Sequence, residues 1–282
     1  MERRNKNWYK KALIDKMGVL VEQGEITIGS VKTAYLSAGS GDVVVCLHGA
    51  GAGAVTWYPS IGALAKSFRV LAPDIVGYGE SDKPNAPYDR PYFSKWLSDF
   101  LTGMDISRAH VVGLSQGGAI ALQFAIDYPT KVDKLVLVDA AGLGAKVSFW
   151  PFVGMVWMNS FPSTVANRFN SPYILHKPEN RDPNHSLYSI AVLKDRGGKN
   201  AFKQGRGAAV SEIPEESLRQ IKNETLIIWG KDDRLFSAKC GERAANIMPY
   251  AKCCLIENAG HLPHMDQPEA FNKILIDFLE KE

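Results

Sequence analysis

The chain has 282 residues and a mass of 31.0 kDa, enough for one large core or one core with a small inserted unit, but hardly for two independent enzyme domains. With 45% apolar and 22% charged residues it reads as an ordinary globular protein, which excludes a disordered or fibrous one. The net charge of +3 is scattered in mixed signs with no basic stripe, so no nucleic-acid partner is expected, and no window of about 20 apolar residues exists, so no transmembrane segment is expected either.

The opening MERRNKNWYKKALIDKMGVL is basic but lacks the apolar core and small-residue cleavage site of a signal peptide, which makes the cytoplasm the default expectation. It can form a short amphipathic helix with Trp8, Leu13, Met17 and Leu20 near one stripe, packed on the protein's own surface, with a membrane or partner contact as the alternative. Residues 25–37 alternate around Gly29-Ser30 and read as a hairpin on an antiparallel edge. Short strands follow at residues 43–47, 68–72, 110–114, 134–138, 225–229 and 251–257. Most are apolar on both sides and separated by helix-like stretches, the pattern of a parallel sheet covered on both faces. Each ends in a loop of polar residues or glycine, and in open α/β sheets such loops converge outside the carboxyl ends of the strands.

Residues 113–117 (GLSQG) place Ser115 between a buried strand and a helix predicted over residues 116–128. No room remains for an ordinary loop, so the turn must be sharp and strained, with its Oγ held above the strand ends. The rhythm then breaks: residues 142–218 contain an aromatic and methionine-rich run (149–161) and a polar part rich in proline, with no clear strand. They read as a mostly helical insertion over the strand ends. The aromatic run either fills the core of that insertion or lines an apolar pocket. Cys46, Cys240, Cys253 and Cys254 have neither the spacing nor the density of a disulfide framework or zinc site.

A serine hydroxyl needs a base, and the base needs an orienting acid. His261, in the loop after the last strand, is the favoured base, with His264 its competitor. The acid comes from Asp232 or Asp233 after residues 225–229, which sequence geometry barely separates, or from Asp139 after residues 134–138. An oxyanion requires backbone donors. One is the Gln116 N–H in the first turn of the helix, where no intrahelical partner exists. The second should come from the glycine loop at residues 48–53, which lacks the spacing of a nucleotide-binding fingerprint. Neither a cofactor nor a metal is called for.

His48-Gly49 after a strand, residues 73–81 (PDIVGYGES), the serine turn, residues 229–233 (WGKDD) and Gly260-His261 together resemble the α/β-hydrolase family, over essentially the whole chain beyond its first 20 residues. The order serine, aspartate, histidine is that family's. The resemblance implies an α/β-hydrolase fold: a mostly parallel eight-stranded sheet flanked by helices, with a core of residues 1–141 and 219–282 (1–20 being an N-terminal extension) and a helical cap at 142–218. It implies Asp233 as the acid, with Asp232 helping the turn, the Ala50 N–H as second oxyanion donor, and a structural role for His48. Serine at 115 argues against the haloalkane dehalogenase and epoxide hydrolase branches, which use aspartate there.

The glycine loop and residues 68–74 are also similar to the carbon-carbon hydrolases of ring-fission products. Those enzymes usually carry asparagine before the serine and tryptophan after the histidine, where this chain has Leu114 and Leu262. The expectation is therefore a carboxylesterase-like serine hydrolase acting on a small-molecule ester. The alternative is a carbon-carbon hydrolase of vinylogous diketo acids, whose carboxylate Arg181 or Arg196 would receive, and a non-catalytic binding protein is the remaining class. For assembly the sequence offers only a homodimer, through the insertion or the edge strand.

Overall fold

The computed structural model describes residues 5–205 and 207–281, so residues 1–4 of the expected N-terminal extension and Glu282 of the expected core lie outside the described residues. The chain opens with α1 (Lys6–Ile14), started by Asn5, whose side chain accepts from the Trp8 N–H at 3.0 Å. A 3-10 turn follows and ends at Gly18 with φ +68°. Of the expected stripe, Leu13 and Met17 are buried, whereas Trp8 is partly exposed and Leu20 lies outside.

Eight strands then form one sheet: β1 (Glu22–Ile28), β2 (Val31–Ala38), β3 (Val43–Leu47), β4 (Arg69–Pro73), β5 (Ala109–Leu114), β6 (Val132–Val138), β7 (Thr225–Gly230) and β8 (Ala251–Ile256). Their order is β1-β2-β4-β3-β5-β6-β7-β8. The hairpin closes with Ile28 opposite Val31, and the β1–β2 and β2–β4 pairings are antiparallel, while every pairing from β4 to β8 is parallel.

Burial on both faces explains why the central strands read as unbroken apolar runs. Alternate residues go to opposite sides: Val45, Leu47, Val111, Leu135 and Leu137 join one core cluster, while Val44, Cys46, Val112, Val136 and Val138 join the other. The first cluster is covered by α3 (Arg90–Gly103) and α4 (Gln116–Asp127). The second lies under α1, α2 (Tyr58–Leu64) and the C-terminal helix. Helix α3 is started by Asp89, which caps it (Tyr92 N–H to Oδ1, 2.9 Å) ahead of its apolar stretch.

Between β6 and β7 the chain runs through α5 (Phe149–Ser160), α6 (Thr164–Ile174), α7 (Pro183–Lys194), α8 (Asn200–Gly205) and α9 (Glu215–Gln220), with no strand among the described residues there. After β7 come α10 (Lys239–Ile247), then β8, α11 (Pro263–Asp266) and α12 (Pro268–Leu279). Helix α1 packs along α7 in antiparallel fashion, fastened at both ends by ion pairs: Lys6 with Asp195 just past the end of α7, and Lys16 with Asp182, its N-cap. A third pair, Lys10 with Glu80, ties α1 to the loop after β4. Among the described residues no helix is long and apolar enough to cross a membrane.

Candidate active site

Strand β5 runs straight into α4 through Ser115, whose backbone has φ +53°, ψ −116°. A β-carbon-bearing residue adopts such angles at a cost of roughly 1–3 kcal/mol, met here by the packing on either side. Close approach explains the flanking glycines: a Cβ on Gly117 would fall 2.4 Å from the Leu47 carbonyl oxygen, and one on Gly113 2.3 Å from that of Gly117. The Ser115 carbonyl is fully used, accepting from the Gly118 and Ala141 amides at 2.9 Å. Gln116 is the first residue of α4, so its N–H has no intrahelical acceptor. Its side chain is fixed away from that amide by Tyr78, whose hydroxyl donates to Oε1 at 2.8 Å.

Residues 49–52 face Ser115 across a cavity of about 130 Å³, also bordered by Leu114, His261 and Leu262. The glycine loop is held from behind. His48 is fully buried: its Nε2 accepts from the Ile75 N–H (3.0 Å), which leaves the proton on Nδ1 to donate to the Gly49 carbonyl (2.7 Å). Burial pushes its pKa down, so it is neutral and its two ring nitrogens are spent on the loop. Asp74 does the rest, taking the Ala54 N–H at 2.6 Å and the Glu80 N–H at 2.7 Å. These bonds give residues 73–81 a physical purpose that the sequence match alone does not reveal.

His261, buried at the end of the loop after β8, places Nδ1 2.8 Å from Asp233 Oδ2. The other oxygen of Asp233 accepts the Leu235 and Phe236 amides at 2.7 and 3.0 Å, and the side chain has no exposed surface. Asp232 turns the opposite way, with Oδ2 3.0 Å from Nδ1 of His176 on the helical segment. His264 is not brought to the cavity lining: it lies in the core beside Trp57 and Phe271, with Nε2 3.1 Å from the Thr56 carbonyl oxygen, and burial lowers its pKa to about 3.

Asp139, the third candidate acid, is fully buried at φ +41° at the end of β6. Its Oδ1 accepts the Gly230 N–H at 3.0 Å, while Oδ2 is left without a donor. Asp139, Asp233 and His261 each place one polar atom within 4.8 Å of the other two. Desolvation, then the adjacent Asp233 charge, push the Asp139 carboxyl well above the usual range, so it is the neutral acid of a carboxyl pair. The spacing would admit a cation, yet a neutral Asp139 and a His261 Nδ1 already engaged with Asp233 make a poor ligand set.

The helical segment contributes groups that carry no sequence motif. Met155, Met158 and Asn159 of α5, Arg181, and His185 and Ser189 of α7 line the same cavity. Arg181 reaches only neutral partners, Ser171 Oγ at 3.2 Å and Asn167 Oδ1 at 3.4 Å, and its Nε is unsatisfied. Desolvation lowers its pKa to about 10, leaving it a cation with no carboxylate paired to it among the described residues. Arg196, the other candidate, lies elsewhere, in a surface depression with Lys32 and Glu80. The aromatic run meets neither expectation in full. Its methionines line the cavity, whereas Phe149, Trp150, Phe152 and Phe161 are exposed.

Comparison with known proteins places this geometry in context. A family model described as alpha/beta hydrolase fold matches residues 42–268. An uncharacterised protein of Mycobacterium tuberculosis is 30% identical over 273 residues, covering 90% of this chain and 80% of the relative. The 2-hydroxy-6-oxo-6-phenylhexa-2,4-dienoate hydrolase of Burkholderia cepacia is 28% identical over 267 residues, with coverage of 86% and 89%. The crystal structure of a carboxylesterase from Bacillus subtilis superposes with a TM-score of 0.89 at 21% identity, covering 98% of this chain and 97% of that one.

Proposed function

The chain belongs to the α/β-hydrolase fold family, and we propose that within it the protein is a serine hydrolase of carboxylic esters, with Ser115 as nucleophile, His261 as general base and Asp233 as the orienting acid. One observation carries the reading: the strained Ser115 and His261 border one cavity, and the far nitrogen of His261 is bonded at 2.8 Å to a fully covered carboxylate. That bond puts the imidazole proton on Nδ1 and leaves the Nε2 lone pair for the serine. Nε2 accepts the Oγ proton as Oγ bonds to the ester carbon, and the carbonyl electrons move onto oxygen between the Ala50 and Gln116 amides. Collapse breaks the carbon–oxygen bond of the leaving alcohol, which takes the proton from Nε2. Water then gives a proton to Nε2 and attacks the acyl-enzyme, and the second collapse returns the proton to Oγ. Asp233 stays ionised throughout.

In this reading residues 142–218 cap a hydrolase core of residues 1–141 and 219–282, and the substrate is a small ester enclosed between them. Neither Asp139 nor Asp232 serves as the acid in this reading: burial, and then the adjacent Asp233, push the pKa of the first well up, and the second faces His176. The test is pre-steady-state hydrolysis of a nitrophenyl ester, with a burst of nitrophenol equal to the enzyme concentration and fluorophosphonate labelling mapped to Ser115. Linear release from time zero with no label would sink the proposal.

The unpaired Arg181 favours a second reading, carbon-carbon cleavage of a vinylogous diketo acid whose carboxylate it receives. Leu114 and Leu262 weigh against it, since they offer that substrate no polar help. Arg181→Ala separates the two. For an ester hydrolase, kcat/KM toward a neutral short-chain ester stays within about threefold, while an ester bearing a terminal carboxylate loses roughly 30-fold as its charge-assisted bonds disappear. If instead the wild type cleaves the diketo acid far faster than any ester, and Arg181→Ala removes that activity, the carbon-carbon reading takes its place.

A further inference from the structure

Helix α5 has one face on the cavity and another that is largely exposed. Met155 and Met158 line the cavity, while Phe149, Trp150, Phe152, Trp157, Phe161 and Val165 stand out from α5 and the start of α6, with Phe149 69% and Phe161 74% exposed. The rings are already assembled: Phe149 packs edge-on to Trp150 at 5.2 Å, and Trp157 lies 5.4 Å from Phe169, which also meets Trp150. Scattered apolar residues on a surface need no explanation, but a contiguous aromatic face does.

Charge says what covers it. From Asp139 to Glu179 the sequence contains no aspartate or glutamate between those two residues, whereas Lys146 and Arg168 are both exposed on either side of α5. We propose that this aromatic face docks on an anionic phospholipid surface, its rings entering the headgroup boundary and the two cations meeting lipid phosphates. Tryptophan and phenylalanine on one face with basic residues beside them suit that boundary. A second copy of the chain suits it worse, because a two-fold contact over this segment faces two surfaces that hold cations and, between Asp139 and Glu179, no acid of their own. The cavity wall on the other side of the same helix would then stand next to the lipid. Docking does not depend on the ester reading, since it is measured without turnover.

The test is co-sedimentation of the full chain with vesicles of phosphatidylcholine, alone or mixed with phosphatidylglycerol, together with tryptophan emission. The expected result is binding to the mixed vesicles with a blue shift of emission, weakened by added salt. Trp150→Ala with Phe152→Ala should lower partitioning about tenfold or more, and Lys146→Gln or Arg168→Gln about fivefold each, on anionic vesicles only. All four side chains lie outside the cavity lining, and circular dichroism with a thermal melt reports that the variants are folded. The proposal is overturned if mixed vesicles bind no more protein than neutral ones. It is equally overturned if the wild type is a dimer that Trp150→Ala splits while neither form binds vesicles.

Discussion

Ser115→Ala is expected to lower kcat/KM toward a nitrophenyl ester by about 10⁵-fold, to abolish the burst and to prevent fluorophosphonate labelling. The size of the loss follows from what the turn does. Its backbone is held at φ +53° by the Val138 carbonyl, which takes the Ser115 N–H at 2.9 Å, and by the amides that bind the Ser115 carbonyl, so alanine inherits the same path. The cavity and the amides of Ala50 and Gln116 remain, and only the nucleophilic oxygen is gone. Thermal stability should stay within a few degrees of the wild type, because alanine and serine suffer similar strain at these angles. A variant retaining more than about 1% of the activity would show that another nucleophile does the work.

Asp233→Asn should cost about 10⁴-fold in kcat, since asparagine can donate to His261 Nδ1 and stabilise the wrong tautomer. The neighbouring carboxyl makes this more than a routine substitution. Asp139 is neutral while Asp233 is charged, so Asp139→Asn replaces a protonated acid with an amide of the same shape. Its oxygen can keep the Gly230 N–H, and its NH₂ takes the place of the oxygen that has no partner, so activity near neutral pH should change by no more than about threefold. In Asp233→Asn the second cause of the raised Asp139 pKa, the Asp233 charge, is absent while the larger one, burial, remains. The Asp139 pKa therefore falls without returning to the ordinary range, and the double variant should fall furthest below Asp233→Asn at the alkaline end, where Asp139 ionises within reach of the histidine. Kinetics of the two single variants and the double variant across pH 5–9 decide it. If Asp139→Asn alone costs as much as Asp233→Asn, the assignment of the acid is reversed.

The sheet was legible because its strands are short apolar runs buried on both sides and closed by glycine or polar loops. Even the hairpin's turn at Gly29-Ser30 could be read. The serine turn was legible too, since a strand and a helix sharing one residue leave few backbone solutions. Asp232 and Asp233 could not be told apart locally. Their difference lies in partners distant in sequence: His176 for one and His261 for the other. The carboxyl pair was equally hidden, because Asp139 and Asp233 meet only when β6 and β7 align. Asn159, His185 and Ser189 reach the cavity from two helices with no common spacing, and their types alone say nothing. The aromatic run misled through a sound rule, since large apolar residues are usually covered, and here many of them are not.

The antiparallel seating of α1 on α7 turns residues 5–17 into a splint. Helix α7 carries His185, Ser189 and Leu193 on the cavity wall, and α1 with the turn that ends it grips α7 at both ends with lysine–aspartate pairs, Leu13 and Met17 being rooted in the core. Such pairs are individually weak, roughly 0–1 kcal/mol, and fade with salt. One wall of the cavity is thus braced from outside, by a helix that contributes no atom to the cavity lining. Removing α1 is therefore expected to shift KM more than kcat, which steady-state kinetics of a variant lacking it would check.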